Sequence, residues 1–164
     1  MHTPRVSASV FAALTALLIS GRGFSADLGP CKGIGLRGEY RNSLDLSGPA
    51  EIIRTDPAIN FNWASQAAGQ GVTRNRFSVR WVGFIEAPVT GNFAFSTTSS
   101  SGIRLWVNGI NVINNWAAHA TKTDTAKPLT LIAGRRYPVR IDYFNETANG
   151  VSALLWAYPG QAQQ

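Results

Sequence analysis

The chain has 164 residues, of which 45% are hydrophobic and 15% are charged, and its formal net charge is +6. This length suits one domain, and the apolar share is that of a globular protein and excludes an intrinsically disordered chain. The single cysteine, Cys31, excludes an internal disulfide bond. It is expected to be a free thiol, a point of intermolecular pairing, or a bystander in a flexible segment.

The first residues have the pattern of a secretory signal peptide. His2 and Arg5 precede the apolar stretch Val6 to Ile19, and small residues follow up to Ala26. A basic start, a short apolar centre and a small-residue end are typical of a cleaved export signal. We therefore expect residues 1–25 to be removed and residues 26–34 to be a flexible lead-in. The mature chain is predicted to be periplasmic, cell-surface or extracellular, with no transmembrane segment, because no apolar run reaches roughly 18 residues.

The positive charge does not by itself indicate a nucleic-acid partner. Cleavage removes Arg5 and Arg22, which leaves thirteen basic and nine acidic side chains in the mature chain. The remaining arginines are dispersed along the sequence, whereas nucleic-acid binders usually concentrate such charge on one face. This dispersion predicts solvated strand faces, which could attract acidic polymers such as polyanionic glycans or envelope lipids.

The mature chain alternates apolar and polar residues with a period of two, which is typical of half-buried β-strands. The alternation is clearest at 77–82, 103–108 and 136–143, and Val151–Trp156 is apolar on both faces, as in an interior strand. Asn108-Gly109 lies between two such segments and predicts a two-residue hairpin. The sequence therefore predicts an all-β fold, an antiparallel β-sandwich or barrel, over residues 35–160 with a tail at 161–164.

The mature chain offers few residues for catalysis. It has one histidine and one cysteine, so these residue types cannot form a zinc site, and it lacks the Gly-x-Ser-x-Gly motif of serine hydrolases. Glu86, Asp142 and Asp56 could supply a glycosidase pair, but nine scattered acids offer such pairs in any β-protein. We expect no enzyme, no catalytic residue and no cofactor.

The segment Phe95 to Gly109, FSTTSSSGIRLWVNG, resembles the PA-fourteen (PA14) domain, a β-barrel module named after anthrax protective antigen. The likeness extends in order from Gly35 to Gly160, through GLRGEYRNSLDLSG, RTDPAINFNW, FSVRWVGFIEAPVTGNFAF, VINNW and SALLWAYPG. It implies a fold of the PA-fourteen type and a non-catalytic module whose commonest assigned role is carbohydrate binding.

The resemblance also implies where a sugar site would lie. In adhesin members, two adjacent aspartates joined by a cis peptide hold a calcium ion that ligates sugar hydroxyls, and a loop asparagine completes the site. The two aspartates fall on Ser100 and Ser101 here, and Asn114 replaces another acid. Because calcium affinity rises with the number of carboxylates, we expect no tight calcium site. We also expect the Ser100–Ser101 peptide to be trans, since a cis non-proline bond costs about 2.5–4 kcal/mol.

The candidate ligand-binding residues combine this pair with loop amides and aromatics, which match sugar hydroxyls and pyranose faces. They are Ser100, Ser101, Asn114, Asn115, Trp116, His119 and Asn145. Trp116 suits loop packing equally well, and Asn145 corresponds approximately to the loop asparagine of the family. The predicted function is an exported carbohydrate-binding module for cell-wall or extracellular glycan, without tight calcium dependence. The alternatives are a structural or protein-interaction domain that has lost the sugar site, and the N-terminal module of a larger glycan-processing enzyme or adhesin.

Overall fold

The computed structural model describes residues 35–163, and the predicted signal peptide, the lead-in and Cys31 lie outside this range. Within it the chain forms β-strands and no helix, which confirms the all-β prediction. It follows that these residues contain no helix that could cross a membrane. The strands are β1 (Leu36–Arg41), β2 (Ile52–Asp56), β3 (Asn60–Ala64), β4 (Phe77–Glu86), β5 (Gly91–Ser99), β6 (Ile103–Val107), β7 (Ile110–Asn115), β8 (Lys122–Thr125), β9 (Leu129–Leu131), β10 (Arg136–Asn145) and β11 (Gly150–Ala157).

The strands form two antiparallel sheets. One sheet has the order β2-β1-β4-β10-β6-β7, and the other has the order β3-β11-β5-β8 with β9 also paired to β5. Strand β11 lies between β3 and β5, so the prediction of an interior strand at Val151–Trp156 is confirmed. The side chains of Phe77, Val79 and Trp81 on β4 are fully buried, as the alternating pattern predicts for one face of a strand.

The core contains one polar centre among its aromatic rings. Asp56 is 4% exposed, and its carboxylate accepts hydrogen bonds from the Tyr40 hydroxyl at 2.6 Å and from Trp81 Nε1 at 2.7 Å. Arg54 Nε donates to the same carboxylate at 2.7 Å. The buried charge is therefore paired and hydrogen-bonded, which is the condition for keeping an acid in a core.

The Asn108-Gly109 turn joins β6 to β7 as predicted. Both residues have positive φ, 52° and 76°, which a two-residue turn of type I′ requires and which glycine adopts without a steric penalty. The turn places Arg104 on β6 opposite Asn114 on β7. It thereby fixes the end of β7, from which the chain enters the loop that carries Trp116 and His119.

Candidate functional site

Three connections meet at one end of the two sheets and surround an open depression of about 470 Å³. They are the turn between β5 and β6, the loop between β7 and β8, and the loop between β10 and β11. The depression is lined by Ser100, Ser101, Ala118, His119, Ala120, Thr121, Thr147 and Asn149. None of these side chains is a carboxylate or a permanent cation, so the lining is uncharged apart from the imidazole of His119, and it combines hydroxyl and amide groups with a larger apolar surface.

Ser100 ties the end of β5 to the loop before β11. Its backbone N–H donates to the Val151 carbonyl at 3.0 Å, and its Oγ accepts the Val151 N–H at 2.9 Å. The same hydroxyl donates to the Asn149 carbonyl at 2.9 Å. These bonds continue the pairing of β5 with β11 beyond its last registered pair, so the side chain holds the loop in place.

Ser101 performs the same function for the other two connections. Its backbone N–H donates to the His119 carbonyl at 2.9 Å, and its Oγ accepts the Glu146 N–H at 3.3 Å. The residue has a φ of 63°, a left-handed conformation that is uncommon outside glycine. The Ser100–Ser101 peptide is trans, as expected from the sequence. The serine pair therefore organises the floor of the depression through the backbone.

His119 lines the depression, and one of its two ring nitrogens has a hydrogen-bond partner while the other has none in the described part of the chain. Nδ1 lies 2.7 Å from the Ala120 carbonyl, and the tautomer with hydrogen on Nδ1 lets it donate there. Nε2 is then an acceptor, and it is covered by neighbouring atoms and has no hydrogen-bond partner within residues 35–163. A buried acceptor without a partner is rare in folded proteins.

Asn145 lies beneath the depression and does not line it. Its side chain is fully buried at the end of β10, where Nδ2 donates to the carbonyls of Thr147 and, at 3.4 Å, Arg74. These bonds support the β10–β11 loop from below. The asparagine that lines the depression is Asn149.

The structure places Asn114, Asn115 and Trp116 outside the depression. Asn114 is exposed on β7, and Asn115 Nδ2 donates to Asp124 Oδ2 at 2.7 Å. The ring of Trp116 lies under the guanidinium of Arg104, with 3.9 Å between the guanidinium carbon and the ring centre. Its edge packs against Phe144 at a centroid distance of 4.9 Å, so Trp116 serves loop packing in this structure.

Sequence reasoning missed Thr121 and Thr147, two exposed threonines that line the depression. Neither belongs to a motif, and they are separated from Ser100 by 21 and 47 positions in the printed sequence. Their juxtaposition comes from the sheet pairing, and no local pattern in the sequence signals it.

The calcium ion of the adhesin members does not fit this donor set. Within the described part of the chain, no three His, Cys, Asp or Glu side chains gather in a way that could hold a metal ion. The hydroxyl oxygens of Ser100 and Ser101 are engaged by backbone N–H groups, and calcium requires six to eight oxygen ligands. The acids weighed for glycosidase chemistry are also engaged, since Asp56 lies in the core and Asp142 accepts hydrogen bonds from three arginines.

Comparisons with known proteins identify the family. The model of the PA14 domain matches residues 33–164. The anti-sigma-I factor RsgI3 of Acetivibrio thermocellus is 32% identical over 132 residues, which span 80% of this chain and 20% of that protein. A solved anti-sigma factor domain-containing protein from Clostridium clariflavum superposes with a TM-score of 0.76 at 32% identity, over 81% of this chain and 45% of that one. A PA14 sugar-binding domain from an RTX adhesin superposes with a TM-score of 0.65 at 19% identity, over 79% of this chain and 93% of that domain.

Proposed function

Because this chain belongs to the PA14 domain family, we propose that it is an exported, non-catalytic carbohydrate-binding module for cell-wall or extracellular glycan. The sugar site is the depression lined by Ser100, Ser101, His119, Thr147 and Asn149. Binding there is weak and does not depend on calcium, since the depression offers hydroxyl, amide and imidazole groups in place of carboxylates.

The observation that carries this proposal is an uncharged, backbone-fixed lining in which hydroxyl and amide groups are combined with apolar surface. Hydroxyls and amides both donate and accept hydrogen bonds, which is the pattern that neutral sugar hydroxyls require. The three connections are tied by bonds from Ser100 to Val151 and Asn149 and from Ser101 to His119 and Glu146. A site held in this way loses little entropy when it orders a ligand, which favours the binding of a small neutral sugar.

The similarity to a sugar-binding domain of an RTX adhesin supports the same assignment, since the depression is formed by the connections at one end of a shared fold. At 19% identity that similarity shows the fold alone, so the chemistry of the lining carries the argument. The chain spans about a fifth of the length of RsgI3. The module therefore corresponds to one part of that relative, and a larger sensor, adhesin or glycan-processing enzyme is the context in which it would act.

The test is a glycan array on the purified chain, run once in calcium and once in chelator. We expect neutral glycans to bind equally in both buffers. Asn149 lines the depression, so Asn149→Ala is expected to weaken binding. The substitution keeps the backbone carbonyl that accepts a hydrogen bond from Ser100, so the loop is expected to stay in place. Asn114→Ala is the matched control, since Asn114 is exposed on β7 outside the depression. Equal binding by both variants, or binding lost in chelator, would contradict the proposal.

A second candidate is a protein-interaction domain that has lost the sugar site. Two observations favour it. Both serine hydroxyls accept hydrogen bonds from backbone N–H groups, and the chain is similar to an anti-sigma factor domain-containing protein. This reading predicts no binding on the array in either buffer. The effect of Asn149→Ala on glycan binding distinguishes the two candidate functions, because the substitution is expected to weaken binding only if the depression is a sugar site.

A further inference from the structure

The outer side of the six-stranded sheet carries a concentration of arginines that we call the arginine face. Its members lie on the neighbouring strands β1, β4, β10 and β6, and they are Arg37, Arg41, Arg80, Arg140 and Arg104. Two acids share this region, Glu39 on β1 and Asp142 on β10. Five arginines and two acids give the arginine face a net charge of +3. The Arg136–Glu86 pair farther along β10 and β4 adds no net charge.

Strand register places these side chains on one side of the sheet. Arg80 on β4 is opposite Glu39 on β1 and Asp142 on β10, and Asp142 is in turn opposite Arg104 on β6. Directly paired residues in antiparallel strands point to the same face. Within each row of paired residues, arginine occurs on every second strand, so guanidinium groups of one row are separated by about 10 Å.

Asp142 holds three of the arginines in fixed positions. The carboxylate is fully buried and accepts hydrogen bonds from Arg80 Nε at 2.8 Å, Arg140 Nε at 3.0 Å and Arg104 Nη2 at 3.2 Å. The three arginine side chains are 33%, 35% and 28% exposed, respectively. One buried charge therefore anchors three partly exposed ones and leaves a surplus of two positive charges at the surface.

Two tryptophans stack with the same arginines. The Arg140 guanidinium carbon lies 4.4 Å from the centre of the Trp106 ring, and that of Arg104 lies 3.9 Å from the centre of the Trp116 ring. Such stacking fixes the plane of a guanidinium without consuming its N–H donors. Within residues 35–163, Asp142 takes Nε and Nη2 of Arg80 and Arg140, and the Nη1 groups of both have no hydrogen bond there.

We propose that the arginine face binds a carboxylated polysaccharide, a polymer with repeated uronate groups. A planar guanidinium matches a carboxylate with two parallel hydrogen bonds, and the arginine face presents several oriented guanidiniums in a row. A polymer with one carboxylate per sugar can engage several of them at once, whereas a single sugar engages one or two. Two copies of this chain are not expected to associate through their arginine faces, because two surfaces of charge +3 repel each other.

This inference goes beyond the proposed function by naming a second surface and a second class of ligand. It rests on the proposed function only in choosing a polysaccharide over other polyanions. Residues 35–163 also contain no helix that could enter the major groove of a nucleic acid. The two surfaces are separable by mutation, since Asn149 lines the depression and Arg140 belongs to the arginine face.

The test uses alginate as the polyuronate and measures its affinity for the purified chain by calorimetry at about 50 mM and about 300 mM salt. Arg140→Gln is expected to weaken alginate binding roughly three- to tenfold at low salt, because it removes one oriented guanidinium from a multivalent contact. Arg135→Gln is the matched control, since it makes the same charge change in the exposed turn before β10. We expect it to leave the affinity within about twofold, and we expect high salt to weaken all variants.

A second variant covers the case in which Arg140→Gln does not fold. Arg37→Gln leaves Glu39 paired with Arg41, and it is expected to show the same loss of alginate binding. Equal affinities of Arg37→Gln, Arg140→Gln and Arg135→Gln would overturn the inference. Binding of duplex DNA or anionic vesicles at least as tight as alginate, with the same dependence on Arg140, would overturn the choice of polysaccharide. Loss of neutral-glycan binding in Asn149→Ala with alginate binding intact tests the proposed function separately.

Discussion

The charge of the buried Asp142 carboxylate can be removed with almost no change in the shape of the side chain. This substitution tests whether that charge stabilises the six-stranded sheet. Substitution Asp142→Asn keeps the shape of the side chain but removes its charge and replaces one acceptor oxygen with a donor group. The wild-type carboxylate accepts five hydrogen bonds, two each from Arg80 and Arg140 and one from Arg104. The new amide would point N–H donors at guanidinium donors, and three arginines would lose their common counter-charge.

The free-energy cost of Asp142→Asn depends on the burial of Asp142 and on the exposure of its three arginine partners. Removing one partner of a fully buried ion pair costs about 3–5 kcal/mol. The arginines around Asp142 are about one-third exposed, so water can replace part of what they lose. We therefore expect the free energy of unfolding to fall by about 2–3 kcal/mol at pH 7. With an unfolding entropy of about 2.1 cal/mol/K per residue over about 130 residues, Tm falls by about 7–11 °C.

The stability lost in Asp142→Asn depends on pH, and the pKa of Asp142 determines the direction of this dependence. Burial alone raises this pKa, but the hydrogen bonds from Arg140 and Arg80 outweigh burial and hold the pKa below its usual value. A carboxyl whose pKa is lower in the folded state stabilises the fold at pH values above its unfolded pKa, and this contribution disappears as pH falls through the folded pKa. The difference between wild type and Asp142→Asn is therefore complete at pH 7, persists to about pH 5 and narrows below about pH 4.

The assay is urea unfolding of both proteins at several pH values, followed by tryptophan fluorescence. The contribution of Glu39, whose pKa is also lowered by Arg41 and Arg37 against the effect of burial, is common to both proteins and cancels in the difference. A stability difference that stays constant from pH 7 to below pH 4 would refute the electrostatic reasoning. A difference near zero at pH 7 would show that the charge of Asp142 does not hold the three arginines in place.

Three further predictions concern the depression and the export signal. Gly102→Ala would place a Cβ 2.1 Å from the Cε1 atom of Phe144, so urea unfolding should show a loss of about 1–3 kcal/mol, and an unchanged stability would contradict the close packing there. Calcium at about 1 mM should leave Tm unchanged, and an upward shift reversed by chelator would reveal a metal site that the donor set does not indicate. Intact-mass measurement of the secreted chain should give an N-terminus directly after Ser25 or Ala26, and a mass that retains residues 1–25 would refute the predicted cleavage.

The longer strands could be predicted from the sequence because their alternation extends over five residues or more. Strands β4, β6 and β10 were anticipated from patterning, and the hairpin after β6 from Asn108-Gly109. Strands β8 and β9 have four and three residues, and β8 has no apolar side chain at all. These strands form because β5 offers unpaired backbone groups along its length, which is a property of the assembled sheet and not of the local sequence.

The depression was only partly predictable for the same reason. The resemblance to the family located Ser100 and Ser101, because they lie inside a contiguous motif. It pointed to Asn145 for the loop asparagine, whereas the asparagine that lines the depression is Asn149, and a single sequence does not fix the alignment of a loop. The partners Thr121 and Thr147 come from separate connections that meet only when β8 and β11 pair with opposite edges of β5.

The arginines show where reasoning from sequence spacing fails. They are far apart along the chain, and this dispersion predicts solvated strand faces that could attract acidic polymers, without indicating that the arginines lie together. The sheet order β1-β4-β10-β6 is far from the chain order, so it gathers Arg37, Arg80, Arg140 and Arg104 on one side. Charge dispersed in the sequence is therefore no argument against a charged face in a sheet protein whose neighbouring strands are not consecutive.

The depression and the arginine face are physically connected through one aromatic contact. The Trp116 ring packs under Arg104 of the arginine face and against Phe144, whose backbone N–H donates to the Gly102 carbonyl beside Ser101. The depression has serines and no carboxylate in its lining, and three arginines lie on the adjacent sheet, so this end of the fold has no negative charge in the depression to attract a cation. Its remaining field attracts anions, so the same lack of carboxylates that argues against a calcium-dependent sugar site favours acidic ligands on the neighbouring surface.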